Sequence, residues 1–96
     1  MATVLDRSDI EQKLSGLEGW SFENDAIHKS FKFGSFKEAM GFITRLAFEA
    51  EAMQHHPQLT NVYNQVSISL CTHDAGDKVT EKDIALANEI ERISWV

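Results

Sequence analysis

Glu51 to Asp74 reads EAMQHHPQLTNVYNQVSISLCTHD, and this stretch decides the fold. Val66, Ile68 and Leu70 alternate strictly with Ser67, Ser69 and Cys71. That period of two marks a half-buried strand. Leu59 to Tyr63 has strand composition, and Tyr63-Asn64-Gln65 offers turn residues between the two runs. The pattern predicts a hairpin whose second strand delivers Thr72, His73 and Asp74. Upstream, His56 precedes Pro57 and is pushed out of the helical region, so a helix ends near Gln54. The stretch carries His55, His56 and His73, which are three of the four histidines, together with the only proline and the only cysteine. Two histidine clusters therefore stand at the ends of two elements that the hairpin draws together.

Toward the N-terminus lies the longest periodic segment. Phe36, Ala39, Met40, Ile43, Leu46, Ala47, Ala50 and Met53 recur at spacings of three and four, which predicts one buried helical stripe. Ser35-Phe36-Lys37-Glu38 opens it as a capping box. Phe42 and Phe48 fall outside the centre of the stripe, free to widen the buried face or to meet a partner subunit. Further back, Ile27, Phe31 and Phe33 interleave with His28, Ser30 and Lys32, while Trp20-Ser21-Phe22 alternates on the other side of the Glu23-Asn24-Asp25 turn cluster. This predicts a second antiparallel hairpin. Lys29 breaks its inner row, and His28 reads as surface. Ser8-Asp9-Ile10-Glu11 has capping-box form, which predicts a short helix from about Asp9 to Ser15 after a loose lead-in, Met1 to Arg7.

Beyond the central stretch, Ala75 to Lys78 reads as a loop. Thr80-Glu81-Lys82-Asp83 opens a last helix, with Thr80 as N-cap and Asp83 in the capping-box place. Ile84, Ala87, Ile90 and Ile93 form its apolar face, and Trp95 packs or docks near its end. The predicted order is α-β-β-α-β-β-α. Two hairpins between helices imply an α+β fold, a four-stranded antiparallel sheet with three helices packed on one face. Residues 1–96 are expected to form one domain.

Nine basic and fifteen acidic residues give a net charge of -6. Nucleic-acid backbones and anionic membrane surfaces both ask for a basic face, so neither is an expected partner. A protein or a neutral small molecule suits this balance. The opening MATVLDRSDIEQ shows no signal-peptide pattern, and the apolar runs are too short for a membrane span. One cysteine makes no internal disulfide and points to a reducing compartment. A soluble intracellular protein is expected.

His55 and His56 sit just past a helix C-terminus, where the dipole favours a cation. In extended chain they point opposite ways, so their roles need not match. Glu51 lies one turn before His55, and a carboxylate there could fix its tautomer and raise its pKa. Asp74 could do the same for His73. The plain alternatives are capping histidines, a solvated Glu51 and a polar strand end at His73. Zinc is a rival reading for three histidines with Asp74 or Glu51, but no H-x-x-x-H or C-x-x-C spacing is present. A metal-dependent hydrolase follows from that rival. Cys71 carries no mark of an activated nucleophile. No metal site is expected.

The run Glu51-Ala52-Met53-Gln54-His55-His56-Pro57, then Asn61-Val62-Tyr63-Asn64, then Val66, Ile68, Leu70 and Thr72-His73-Asp74, resembles the pterin-4a-carbinolamine dehydratase family. That family is also known as the dimerization cofactor of a homeodomain transcription factor. Gly19-Trp20 and Thr80-Glu81-Lys82-Asp83 match as well, so the resemblance covers most of the chain. It implies the same fold. It implies dehydration of 4a-hydroxytetrahydrobiopterin to quinonoid dihydrobiopterin and water, in the recycling and supply of tetrahydrobiopterin, without metal or organic cofactor. It implies His55, His56 and His73 as catalytic histidines and Glu51 as their acidic neighbour. Pterin-contacting positions correspond to His55, His56 and Pro57, to Thr72, His73, Asp74 and Ala75, and more loosely to Trp20 and Asp83. The loop Gly76-Asp77-Lys78-Val79 departs from the family's Gly-Gly-Leu-Thr type of turn by one extra residue.

The chemistry suits the residues. Expelling a 4a-hydroxyl needs one proton delivered to the leaving oxygen and one removed from the ring nitrogen, and histidine does both near neutrality. His55 and His73 are expected to divide the acid and base roles. His56 is expected to position the pterin and Glu51 to tune His55. The resemblance further implies a cytoplasmic homodimer or homotetramer, also nuclear in a eukaryote. An alternative function is a protein-binding coactivator module acting through a helix surface, with Phe42, Phe48 or Trp95 as docking residues.

Overall fold

A computed structural model describes residues 3–94. The elements are α1 (Arg7–Leu14), β1 (Ser21–Glu23), β2 (Ala26–Lys32), α2 (Phe36–Met53), β3 (Gln58–Val62), β4 (Gln65–Leu70), a 3-10 turn (His73–Ala75) and α3 (Glu81–Ser94). The four strands form one antiparallel sheet in the order β1-β2-β4-β3. This is the predicted α-β-β-α-β-β-α arrangement. Trp95, expected to pack or dock, lies outside the described residues.

Strand register follows from the alternation. Ile27 faces Leu70, Lys29 faces Ile68 and Phe31 faces Val66 across β2 and β4. Those apolar rows turn to the helices, and the intervening rows of His28, Ser30, Ser67 and Ser69 face away. The β1–β2 hairpin closes on Asn24 and Asp25, both at positive φ (51° and 61°). Asn and Asp tolerate that conformation, and it matches the twist of the flanking strands. Lys29 fits the inner row because its ammonium reaches Glu91 Oε2 at 2.7 Å and the Glu18 carbonyl at 2.8 Å.

The core joins Ile10 of α1 to Phe42 and Leu46 of α2, Leu86 and Ile90 of α3 and the inner rows of the sheet. Phe42 meets Phe31 and Phe33 with ring centroids 5.1 and 5.0 Å apart. One expectation for α2 is corrected here, and one open choice is settled. Its buried positions are Ala39, Phe42, Leu46 and Ala50, while Phe36 and Met40 are exposed. The helix is apolar around more than one arc, and the pair of phenylalanines on the sheet selects the arc that contains Phe42. Phe42 is therefore core and no docking residue; Phe48 stands out in solvent.

The N-terminal expectations also shift. Asp6, not Ser8, caps α1, its carboxylate accepting the Asp9 amide at 2.8 Å. The lead-in is anchored, with the Leu5 amide bonded to the Val79 carbonyl at 2.9 Å and Val4 bridged to Thr80. At α3 the capping box forms as read: Thr80 Oγ1 accepts the Lys82 amide, and Asp83 Oδ2 accepts the Thr80 amide. Among the described residues, no helix is long and apolar enough to cross a membrane.

Candidate active site

α2 stops because Gln54 adopts the left-handed conformation, φ 51° and ψ 42°. The His55 amide still bonds back to the Ala50 carbonyl at 3.0 Å. Pro57 then commits the chain to β3. On this extended exit His55 turns inward and is buried, while His56 turns out. Across from them β4 ends at Leu70. The Thr72 amide bonds the Lys78 carbonyl at 2.8 Å, and the Ala75 and Asp77 amides both return to the Thr72 carbonyl at 3.1 Å. Gly76 at φ 75° and Asp77 at φ 61° close this loop.

The two ends meet in an open cleft of ≈ 220 Å³ lined by Gln54, His55, His56, Cys71, Thr72, His73, Asp74 and Lys82. Pockets for drug-sized ligands start at roughly 300 Å³, so this one suits a small ring system. A second hollow of ≈ 200 Å³ adjoins it through His56, with an apolar lining that includes Ile43, Pro57 and Leu59. All three singled-out histidines thus line one cleft.

Each of them meets its own carboxylate. His55 Nε2 lies 2.6 Å from Asp83 Oδ1, and both groups are buried. His56 Nε2 bonds Glu51 Oε1, with both side chains exposed. His73 Nδ1 lies 2.8 Å from Asp77 Oδ1 at the surface. Two pairings differ from expectation. Glu51 partners His56, because the left-handed Gln54 swings His55 off the helical track before it can stack over Glu51. Asp77, not Asp74, bonds His73.

Electrostatics follow the geometry. The Asp77 hydrogen bond and then the Asp77 charge hold His73 above the ordinary imidazole value of 6.5; desolvation opposes them, and the Asp74 charge adds least. Burial, with help from the Asp77 and Asp83 charges, pushes the Cys71 thiol up. A thiol so held is protonated at neutral pH and is a poor nucleophile. Among the described residues, no group of three or more His, Cys, Asp or Glu side chains could hold a metal ion.

The remaining singled-out positions separate. Thr72 is buried beneath the cleft, with its hydroxyl 2.8 Å from Asp83 Oδ2. Asp74 lines the cleft, Pro57 lines the adjoining hollow, and Ala75 sits half-buried in the 3-10 turn. Asp83 is 0 % exposed and touches the cleft only through its partners. Trp20 is elsewhere: it is buried in the core, and its Nε1 donates to Glu91 Oε2 at 3.0 Å. Glu91 is eight residues past Asp83, about 12 Å along α3. Gln54, Lys82, Thr80 and Asp77 were not singled out for the site. Only Thr80 had a signal, since its capping box with Asp83 already tied the two together.

This architecture is that of a small α+β domain with a histidine-lined cleft at one end of its sheet. Residues 3–93 match the family model described as pterin 4 alpha carbinolamine dehydratase. A relative from Opitutus terrae, provisionally named a pterin-4-alpha-carbinolamine dehydratase, is 56 % identical over 96 residues, covering 100 % of this chain and 99 % of its own. The crystal structure of a transcriptional coactivator/pterin dehydratase from Brucella melitensis superposes with TM-score 0.91 and 38 % identity, over 96 % of this chain and 99 % of that one. A pterin dehydratase-like protein identified as a RuBisCO assembly factor in the alpha-carboxysome aligns with TM-score 0.64 and 25 % identity, over 79 % and 87 %. The chain belongs to the pterin 4 alpha carbinolamine dehydratase family and is an enzyme of the dehydratase type.

Proposed function

We propose that this protein converts 4a-hydroxytetrahydrobiopterin to quinonoid dihydrobiopterin and water by histidine acid–base catalysis, in the recycling of tetrahydrobiopterin. The whole chain, residues 1–96, serves as one catalytic domain. The observation that carries the reading is the convergence of three histidines, each with its own carboxylate, on one small cleft. His73, with its pKa raised by Asp77, keeps a proton to give to the leaving hydroxyl. His55 takes the proton from the ring nitrogen. His56, at the mouth with Glu51, orients the pterin. Thr72, His73 and Asp74 form the opposite wall, Pro57 lines the hollow beside His56, and Ala75 is proposed as a further pterin contact from the turn that follows. Neither a metal nor an organic cofactor enters the scheme.

The test is a dehydration assay on chemically generated 4a-hydroxytetrahydrobiopterin, run with and without chelator. Acceleration that survives the chelator is expected. A rate equal to the uncatalysed one would overturn the proposal.

A second reading concerns partners. Phe36, Met40 and Phe48 on α2 and Val62 and Tyr63 at the sheet edge are exposed apolar residues. β3 lies at that edge with one side unpaired by the sheet. The protein is proposed to self-associate as a homodimer or homotetramer and to work in the cytoplasm. A coactivator-like role through the same helix surface is the alternative function, and it needs no intact histidine set. Light scattering on the purified chain decides the oligomeric state: a monomer across the micromolar range defeats the self-association.

A further inference from the structure

His55 is the one cleft histidine held from beneath rather than from solvent. Its Nε2 lies 2.6 Å from Asp83 Oδ1, with His55 7 % and Asp83 0 % exposed. Asp83 Oδ2 takes the Thr80 amide at 2.9 Å and the Thr72 hydroxyl at 2.8 Å. Thr72 Oγ1 is also 2.6 Å from Thr80 Oγ1, which itself accepts the Lys82 amide at 3.2 Å.

An amide N–H only donates. Thr80 Oγ1 accepts from Lys82, so its own proton is available to Thr72 Oγ1. Thr72 then turns its single proton to Asp83. Two donors converge on Oδ2, and an ionised carboxylate accepts at both oxygens. A buried carboxylate left without donors would be costly, and the third donor within reach is the His55 Nε2–H. The other ring nitrogen, Nδ1, makes no hydrogen bond. Among the described residues no buried side-chain nitrogen or oxygen lacks a partner. Nδ1 therefore keeps some contact with solvent, and the ring lines the cleft.

We infer that Asp83 is a positioning residue which fixes His55 with its proton on Nε2, so that the ring works on the substrate through a bare Nδ1. This rests on the acid–base reading of His55 and gives it a direction. Nδ1 takes the proton from the pterin ring nitrogen. The nitrogen's electron pair forms the new C=N bond as the bond from carbon 4a to oxygen breaks. The His73 imidazolium gives its Nε2 proton to the departing oxygen, which leaves as water. His55 is then the cation and lies against the Asp83 carboxylate that stabilises it; proton exchange with solvent restores both rings. Carboxylate-fixed histidines in hydrolases work on the same logic.

The test reads the tautomer directly, by two-bond ¹H–¹⁵N correlation spectra of uniformly ¹⁵N-labelled protein at a pH where His55 is neutral. The parent is expected to show His55 protonated on Nε2. Asp83→Asn keeps an oxygen for Thr72 and Thr80 and turns its amide toward His55, so the proton moves to Nδ1. In that variant kcat is expected to fall by about 100-fold or more with KM within about twofold. A parent spectrum with the proton on Nδ1 overturns the inference without any variant. An unchanged tautomer or unchanged kcat in Asp83→Asn also overturns it. A parent that shows the Nε2 proton but no dehydration overturns the proposed function and leaves the positioning by Asp83 in place.

Discussion

Glu51 accepts a hydrogen bond from His56, five residues on, and none from His55. The adjacent histidines are therefore wired to different elements, His56 to the last turn of α2 and His55 to the first turn of α3. Their substitutions should behave differently.

A double-mutant cycle measures this. Glu51→Ala and His56→Ala should be non-additive in kcat/KM by more than about threefold, because the residues touch. Glu51→Ala and His55→Ala should combine additively within about twofold. The reverse pattern would restore Glu51 as the partner of His55.

Removing both transfer groups tests the acid–base scheme itself. His55→Ala with His73→Ala is expected to lower kcat by about 10²–10⁴-fold while the circular dichroism spectrum stays that of the parent. A double variant as fast as the parent would sink the scheme.

The Asp77 contact sets a pH dependence. Asp77 raises the folded-state pKa of His73, so the acid form persists above pH 6.5 and is lost as pH passes the raised value. Asp77→Asn is expected to move the alkaline limb of the kcat profile to lower pH. The same sign holds for stability. The pair's contribution is complete below the unfolded value and fades as pH rises through the folded one. Urea midpoints of parent and Asp77→Asn should therefore converge at alkaline pH. A limb that stays in place would remove His73 as the acid.

The two phenylalanines of α2 that the periodicity left outside its main stripe should part company. Phe42→Ala empties a fully buried site between Phe31 and Phe33 and should cost about 3–5 kcal/mol in chemical denaturation. Phe48→Ala, on a side chain 74 % exposed, should leave the monomer within about 0.5 kcal/mol of the parent. If Phe48 lies in a subunit contact, its substitution shifts the dissociation constant instead.

Much of this was legible in the residues. Strict alternation over Val66 to Leu70 identified the central strand, His56-Pro57 identified the end of the long helix, and the hairpin between them followed. The histidine cleft was legible for the same reason. The pairings inside it were not. The rule that residues four apart share a helix face links Glu51 to His55 only while the helix continues, and a single left-handed Gln54 transfers that partner to His56. Asp74 adjoins His73 in the chain and is the partner the sequence offers; only the closing of the loop from Thr72 to Lys78 brings Asp77 to His73 instead. Ser8 and Asp6 both satisfy a capping pattern; the bridge from Val4 to Thr80 fixes the chain so that Asp6 is in place. Trp20 neighbours a turn glycine and looks available, yet an indole N–H that is buried needs an acceptor, and Glu91 supplies it.

The β3–β4 hairpin has one more consequence. Asp83 and His55 are 28 residues apart, and a flexible segment of that length would charge a closure entropy each time the two groups met. Here the loop is already shut by the ladder that pairs Gln58 with Ser69 and Val62 with Gln65. Folding has settled that entropy before any substrate arrives, so the cleft stands ready in the free protein. Weakening the ladder far from any histidine, at the Tyr63–Asn64 turn, should reach the chemistry as a slower and more temperature-sensitive turnover while every reacting group remains intact.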